Sequence, residues 1–124
     1  MAQFFLSDGN TLAARWREAF PDARLVEPRA AAGIAGAADA LLWLDGGRIG
    51  DRESLERAAR QALEASPRVI VMRPAPSESE AFALLSLGVS GYCHLAASPV
   101  QLREIAAVVA EGGIWMPPEL LRRL

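Results

Sequence analysis

Apolar and polar positions along the chain alternate between two periods. Gln3 to Ser7 (QFFLS) is a short apolar run closed by the turn cluster Asp8-Gly9-Asn10, which predicts a buried strand ending in a loop. Leu12, Trp16, Ala19 and Phe20 then recur at helical spacing, one face of a helix that stops before Pro21. Ala23 to Glu27 (ARLVE) is a second strand bounded by Pro21 and Pro28. The Ala/Gly-rich stretch Arg29 to Ala38 reads as a second helix, against which Gly33 and Gly36 weigh. Ala40 to Leu44 (ALLWL) is a fully apolar strand that delivers Asp45 at its carboxyl end.

A glycine-rich loop, Gly46 to Gly50, follows and reads as flexible. Leu55, Ala58, Ala59, Ala62 and Leu63 then mark one face of the clearest helix. Val69 to Met72 (VIVM) is a continuous apolar strand, and the next helix covers Glu78 to Leu87 and ends at Gly88. Ser90 to Leu95 (SGYCHL) is a fifth strand. Ser98-Pro99-Val100-Gln101 is a capping box with proline at the first helical position, opening a helix that buries Leu102, Ile105, Ala106 and Val109. Five strands alternating with five helices give a (βα)5 chain, and continuous apolar strands mean that both sheet faces are covered. The fold class is therefore α/β, a single doubly wound parallel sheet. Its site belongs beyond the carboxyl ends of the strands, where Ser7, Asp8, Asp45, Arg73 and Leu95 stand.

Composition narrows the chemistry. With 124 residues, 52% hydrophobic and 23% charged, the chain supports one core and no disorder. No apolar run reaches the length of a membrane span and Met1 to Asn10 lacks the layout of a secretion signal, so a cytoplasmic location without membrane contact is expected. One cysteine, Cys93, excludes an intrachain disulfide. All 13 basic residues are arginine, so lysine-dependent phosphate loops and Schiff bases are excluded. A net charge of −2 argues against direct nucleic-acid binding.

Three phrases carry a family resemblance: Gly88-Val89-Ser90-Gly91-Tyr92, then Ala97-Ser98-Pro99, then Gly112-Gly113-Ile114-Trp115-Met116-Pro117-Pro118-Glu119-Leu120-Leu121. In order and spacing they resemble the receiver domain of two-component response regulators, closest to the LuxR-type (NarL/FixJ) group. The resemblance covers nearly the whole chain. It implies a CheY-like/flavodoxin-like three-layer sandwich over residues 1–116, with 117–124 as a C-terminal tail or the start of a linker. It also implies a non-enzymatic signalling module.

In that family two adjacent acids after the first strand and a phosphoacceptor aspartate after the third bind Mg²⁺, because a hard cation needs several oxygen ligands. Here Ser7-Asp8 stands in place of the acid pair, and Asp45 matches the phosphoacceptor. Arg73 stands where a serine or threonine is usual, and Leu95 where a lysine is usual. Asp8 and Asp45 are then the only carboxylates left for Mg²⁺. The resemblance is therefore to a degenerate receiver with no cofactor, or with Mg²⁺ bound weakly. Its expected function is phosphorylation-independent contact with a protein partner or a second copy. A receiver phosphorylated on Asp45 is the alternative.

Other readings stay open beside these. Arg73 could reach Asp8 or Asp45 as a fixed cation in place of metal and lysine, or lie in solvent. Tyr92 matches the family's switching aromatic, packed inward or turned out as a contact. With Val100, Arg103, Glu104 and Ala107 it forms the expected interface, since the family's common contact surface is the fourth helix, fifth strand and fifth helix. His94 has no neighbouring metal ligands in sequence, and Cys93 reads as a small buried hydrophobe. Ser7-Asp8-Gly9-Asn10-Thr11 also resembles the phosphate-cradling first loop of flavodoxins, a second alternative with FMN as cofactor, which Asp8 opposes by charge.

Overall fold

The computed structural model describes residues 1–122. Five parallel strands, β1 (Gln3–Leu6), β2 (Arg24–Val26), β3 (Leu41–Asp45), β4 (Val69–Arg73) and β5 (Gly91–His94), form one sheet in the order β2-β1-β3-β4-β5. The chain winds outward from β1 to β2, then returns across β1 to β3. The carboxyl ends of β1 and β3 therefore flank the point where the winding reverses. Register pairs Leu6 with Leu44, Asp45 with Met72, and Arg73 with His94.

Strand alternation sorts side chains into two cores. Phe5, Trp43, Ile70, Met72 and Cys93 face α1 (Ala14–Ala19) and α4 (Pro99–Ala110). Leu6, Leu42, Leu44, Val69, Val71 and Tyr92 face α2 (Arg52–Ala65) and α3 (Glu78–Leu87). On the first side Phe5 stacks between Trp16 and Trp43, with ring centroids 4.6 and 5.4 Å away. The Trp43 indole donates to Gln3 Oε1 at 2.7 Å, which satisfies its one polar atom.

Helix boundaries follow local chemistry. Asp51, Ser77 and Ser98 each accept a hydrogen bond from the backbone N–H three residues on, capping α2, α3 and α4. Gly88 closes α3 at φ +105°, a left-handed conformation that a side chain would oppose.

The crossover between β2 and β3 departs from the (βα)5 expectation. In place of an α-helix over Arg29 to Ala38, the chain makes two short 3-10 turns, Pro28–Gly33 and Ala37–Asp39. Gly36, at φ +74°, separates them by reversing the backbone hand. Beyond α4, Trp115 lies along the free edge of β5, its N–H bonded to Ser90 O at 2.9 Å and its carbonyl to Tyr92 N at 3.0 Å. A short α5 (Pro118–Leu121) follows and buries Leu120 beside Met116 on the α2/α3 side. The expected tail thus packs onto the core as far as Leu120, and residues 123 and 124 of that segment lie outside the described residues. Among the described residues no helix is long and apolar enough to cross a membrane.

Cys93 is fully buried and burial pushes its thiol up to about 12, from the ordinary 9.0. The folded group keeps its proton where the unfolded one loses it. Its contribution to stability is complete below pH 9.0 and is lost as the pH rises toward the folded value. Urea unfolding should therefore show stability falling above that pH, with a shallower fall in Cys93→Ala, and a disulfide-forming thiol reagent at neutral pH should label Cys93 only after unfolding.

Candidate functional site

Because Leu6 and Leu44 are paired and face α2 and α3, the next residues, Ser7 and Asp45, emerge together on the α1/α4 side. Ser7 Oγ donates to Asp45 Oδ2 at 2.8 Å, and Gly47 N donates to Oδ1 at 2.9 Å. Ser7 Oγ in turn accepts from Gly9 N at 3.1 Å. Each oxygen of the half-buried carboxylate is thus held by a neutral donor. Asp8, the other acid read from the sequence, is exposed and takes no part in this arrangement.

Gly46 and Gly47 of the following loop answer to crowding rather than to the flexibility expected for Gly46 to Gly50, whereas a Cβ on Gly50 would meet nothing within 4 Å. A Cβ on Gly47 would fall 2.7 Å from Leu95 Cδ2 and 3.0 Å from Asp45 Oδ1. One on Gly46 would fall 2.6 Å from the Met72 carbonyl oxygen. Leu95, half-buried just after β5, therefore stands beside Gly47 and Asp45 at the place where a cation was expected.

Arg73 does not reach Asp8 or Asp45. Met72 pairs with Asp45 and faces α1 and α4, so Arg73, one residue later, leaves on the opposite side of the sheet. There its Nε donates to Glu80 Oε1 at 2.9 Å, and Nη1 donates to Gly46 O at 2.6 Å and to Ile49 O. The two side chains are only 12% and 10% exposed, so this is a buried ion pair that also ties down the loop after β3.

Tyr92 joins the same network and is not an interface residue, since it is fully buried. Its hydroxyl donates to Glu80 Oε1 at 2.7 Å and accepts from Ser77 N at 2.8 Å. Burial, with the carboxylate beside it, raises the phenol's pKa. Val100, Arg103, Glu104 and Ala107 are exposed on α4, as the interface reading requires. Arg103 also makes a long contact of 3.5 Å to Glu18 O at the end of α1.

Above Asp45 lies a concavity of about 280 Å³, between Ser7, Ala13, Arg15, Trp16, Arg48 and Leu95. A larger one, about 660 Å³, opens between Met1–Phe4 and Ala19–Arg24, near the amino ends of β1 and β2 and away from Asp45. Among the described residues no three His, Cys, Asp or Glu side chains cluster as metal ligands. With Asp8 turned away and both Asp45 oxygens engaged, the donor set does not fit a hard cation that takes about six oxygens. The first loop does not present its serine as a flavin-phosphate cradle either, because Ser7 Oγ turns inward to Asp45.

Solved structures share this architecture. The RcsB response regulator of Salmonella typhimurium matches with TM-score 0.69 and 17% identity over 98% of this chain, which spans 65% of that one. A LuxR-family two-component response regulator from an Aurantimonas species matches with TM-score 0.68 and 18% identity over 98% of this chain and 93% of that one. The chain has a receiver-like fold. The pilus assembly protein CpaE of Caulobacter crescentus is similar too, with TM-score 0.61 and 15% identity over 86% of this chain and 95% of that one. No family model matches the sequence and no curated protein is similar to it at a significant level.

Glu80, Arg15 and Arg48 are residues at this end of the sheet that sequence reading did not single out. Glu80 carried a signal, because Ser77-Glu78-Ser79-Glu80 is a capping-box pattern. Here the Tyr92 hydroxyl is inserted into that box, between Ser77 N and the Glu80 carboxylate.

Removing Glu80 strands a buried cation and a buried phenol, so Glu80→Ala should cost about 3–5 kcal/mol. In a double-mutant cycle by chemical denaturation, Arg73→Met and Glu80→Gln should couple by about 1–3 kcal/mol, whereas Arg73→Met and Asp45→Asn should add within about 0.5 kcal/mol. The reverse ranking would place the partner of Arg73 at Asp45.

Proposed function

We propose that this chain is a receiver-like signalling domain that works by protein–protein contact without aspartyl phosphorylation or Mg²⁺. The observation that carries the reading is the buried Arg73–Glu80–Tyr92 network, which joins the loop after β3 to β4, α3 and β5. A two-state domain shifts only if an input binds its states differently. Three features oppose such a shift here. Tyr92 is held by an internal carboxylate, Arg73 is engaged in the network, and apolar Leu95 stands beside Asp45 where a cation would neutralise a transferring phosphoryl group.

Two-component regulation is the setting that the similar response regulators suggest. The contact face is α4, where Val100 is 60% exposed beside Arg103, Glu104 and Ala107, with α3 and the edge of β5 that Trp115 covers. Rim charges such as Arg103 and Glu104 contribute little energy by themselves, so apolar burial at Val100 and Ala107 must supply the affinity. A homodimer is the simplest such contact, because a two-fold axis sets each surface against its own copy.

Incubation with acetyl phosphate and millimolar Mg²⁺ should leave the intact mass unchanged, and Asp45→Asn should behave as the parent does. A phosphoryl adduct lost in Asp45→Asn would establish Asp45 as a working acceptor, favoured by its place at the carboxyl end of β3. Sedimentation across micromolar concentrations should show self-association that Arg103→Glu weakens. A monomer throughout, unaffected by the substitution, would remove the homodimer.

A further inference from the structure

Charge in the concavity above Asp45 is unbalanced. Two arginines, Arg15 and Arg48, line it against one carboxylate, Asp45. Asp45 receives its hydrogen bonds from a hydroxyl and a backbone N–H, neither of which carries charge. Among the described residues neither arginine forms an ion pair. Arg15 makes only a long contact of 3.4 Å, to the Leu95 carbonyl, and Arg48 is exposed. The guanidinium fork is the group best suited to bind a carboxylate or phosphate through two parallel hydrogen bonds.

Trp16, 4% exposed, forms part of the wall. The remaining wall sets apolar Ala13 and Leu95 beside Ser7, Gly9, Asn10 and Thr11. Two cations and a carboxylate in one concavity select a molecule that carries both an anionic group and a hydrogen-bond donor. At about 280 Å³ the space lies below the range that drug-sized ligands usually fill, about 300–1,000 Å³, so the molecule is small.

We propose that this concavity binds a small organic molecule carrying an oxyanion at one end, held by Arg15 and Arg48, and a hydrogen-bond donor at the other, held by Asp45. An amino or hydroxy acid, or a small phosphate monoester with free hydroxyls, has this chemistry. Binding is reversible, with no covalent bond made. The proposal deepens the phosphorylation-independent reading and rests on it in one respect, that Asp45 carries no phosphoryl group.

The test uses the full chain without any phosphodonor, with melting temperature and tryptophan fluorescence as readouts. One set of probes is the amino acids with lactate and malate. The other is sugar phosphates and nucleoside monophosphates. A ligand at ten times its Kd should raise the melting temperature by about 4–6 °C. Arg15→Gln or Arg48→Gln should weaken that ligand about tenfold or more. Asp45→Asn, or a probe lacking the amino or hydroxyl group, should weaken it likewise. Which set responds tells carboxylate from phosphate. No saturable response in either set would overturn the proposal, as would a response that survives the folded Arg15→Gln/Arg48→Gln double variant. Mass analysis after acetyl phosphate treatment is a separate arm. Labelling of Asp45 there overturns the phosphorylation-independent reading, while ligand binding by untreated protein still supports this site.

Discussion

Glu80 Oε1 accepts two hydrogen bonds at once, from the Arg73 guanidinium and from the Tyr92 hydroxyl, in a setting where its side chain is almost withdrawn from water. A carboxylate taken out of water is tolerated only when opposite charge and hydrogen bonds replace its hydration. That requirement fixes four pieces of the chain together. Arg73 must leave β4 toward α3, Tyr92 must stay inward from β5, Ser77 must start α3 where its N–H meets the phenol, and the Gly46 and Ile49 carbonyls must turn to Arg73. Loss of one partner leaves the others buried and unpaired, so the loop after β3, the start of α3 and Tyr92 are expected to move as one unit.

The period of a strand then separates two chemistries at one end of the sheet. Asp45 and Ser7 fall on the α1/α4 side, with neutral donors on the carboxylate and a concavity above it. Arg73, Glu80 and Tyr92 fall on the α2/α3 side and form a closed internal circuit. The sheet between them is packed on both faces. The loop that begins at Gly46 links the two chemistries, and Arg73 holds that loop. On this geometry rests the proposal of a fixed contact surface on a receiver-like fold that ends β3 with an aspartate.

Much of the fold was legible because apolar runs such as Ala40 to Leu44 and Val69 to Met72 can only be strands covered on both faces, and because Ser98-Pro99 and Gly88 mark helix ends by local chemistry. Asp45 was legible for the same reason, as the residue that ends an apolar strand. The crossover over Arg29 to Ala38 was misjudged because alanine favours helix, while Gly36 at positive φ and Pro28 break the stretch into 3-10 turns. The reach assigned to Arg73 failed on parity. Alternation along β3 and β4, read with their register, puts Arg73 and Asp45 on opposite faces, and register is set by packing between strands rather than by either strand alone. Glu80 was missed because its partners come from β4 and β5, and only the closed sheet brings those to the start of α3.

The central claim is that the loop after β3 and Tyr92 occupy one state held by Glu80. Backbone ¹⁵N relaxation dispersion on the unmodified chain reads this directly, since it detects exchange between conformers on the microsecond-to-millisecond scale. The account predicts flat profiles for Gly46 to Gly50, Arg73, Ser77 and Tyr92 in the parent and exchange at these positions in Glu80→Gln. Concerted exchange across the same residues in the parent would show a working two-state switch and contradict it.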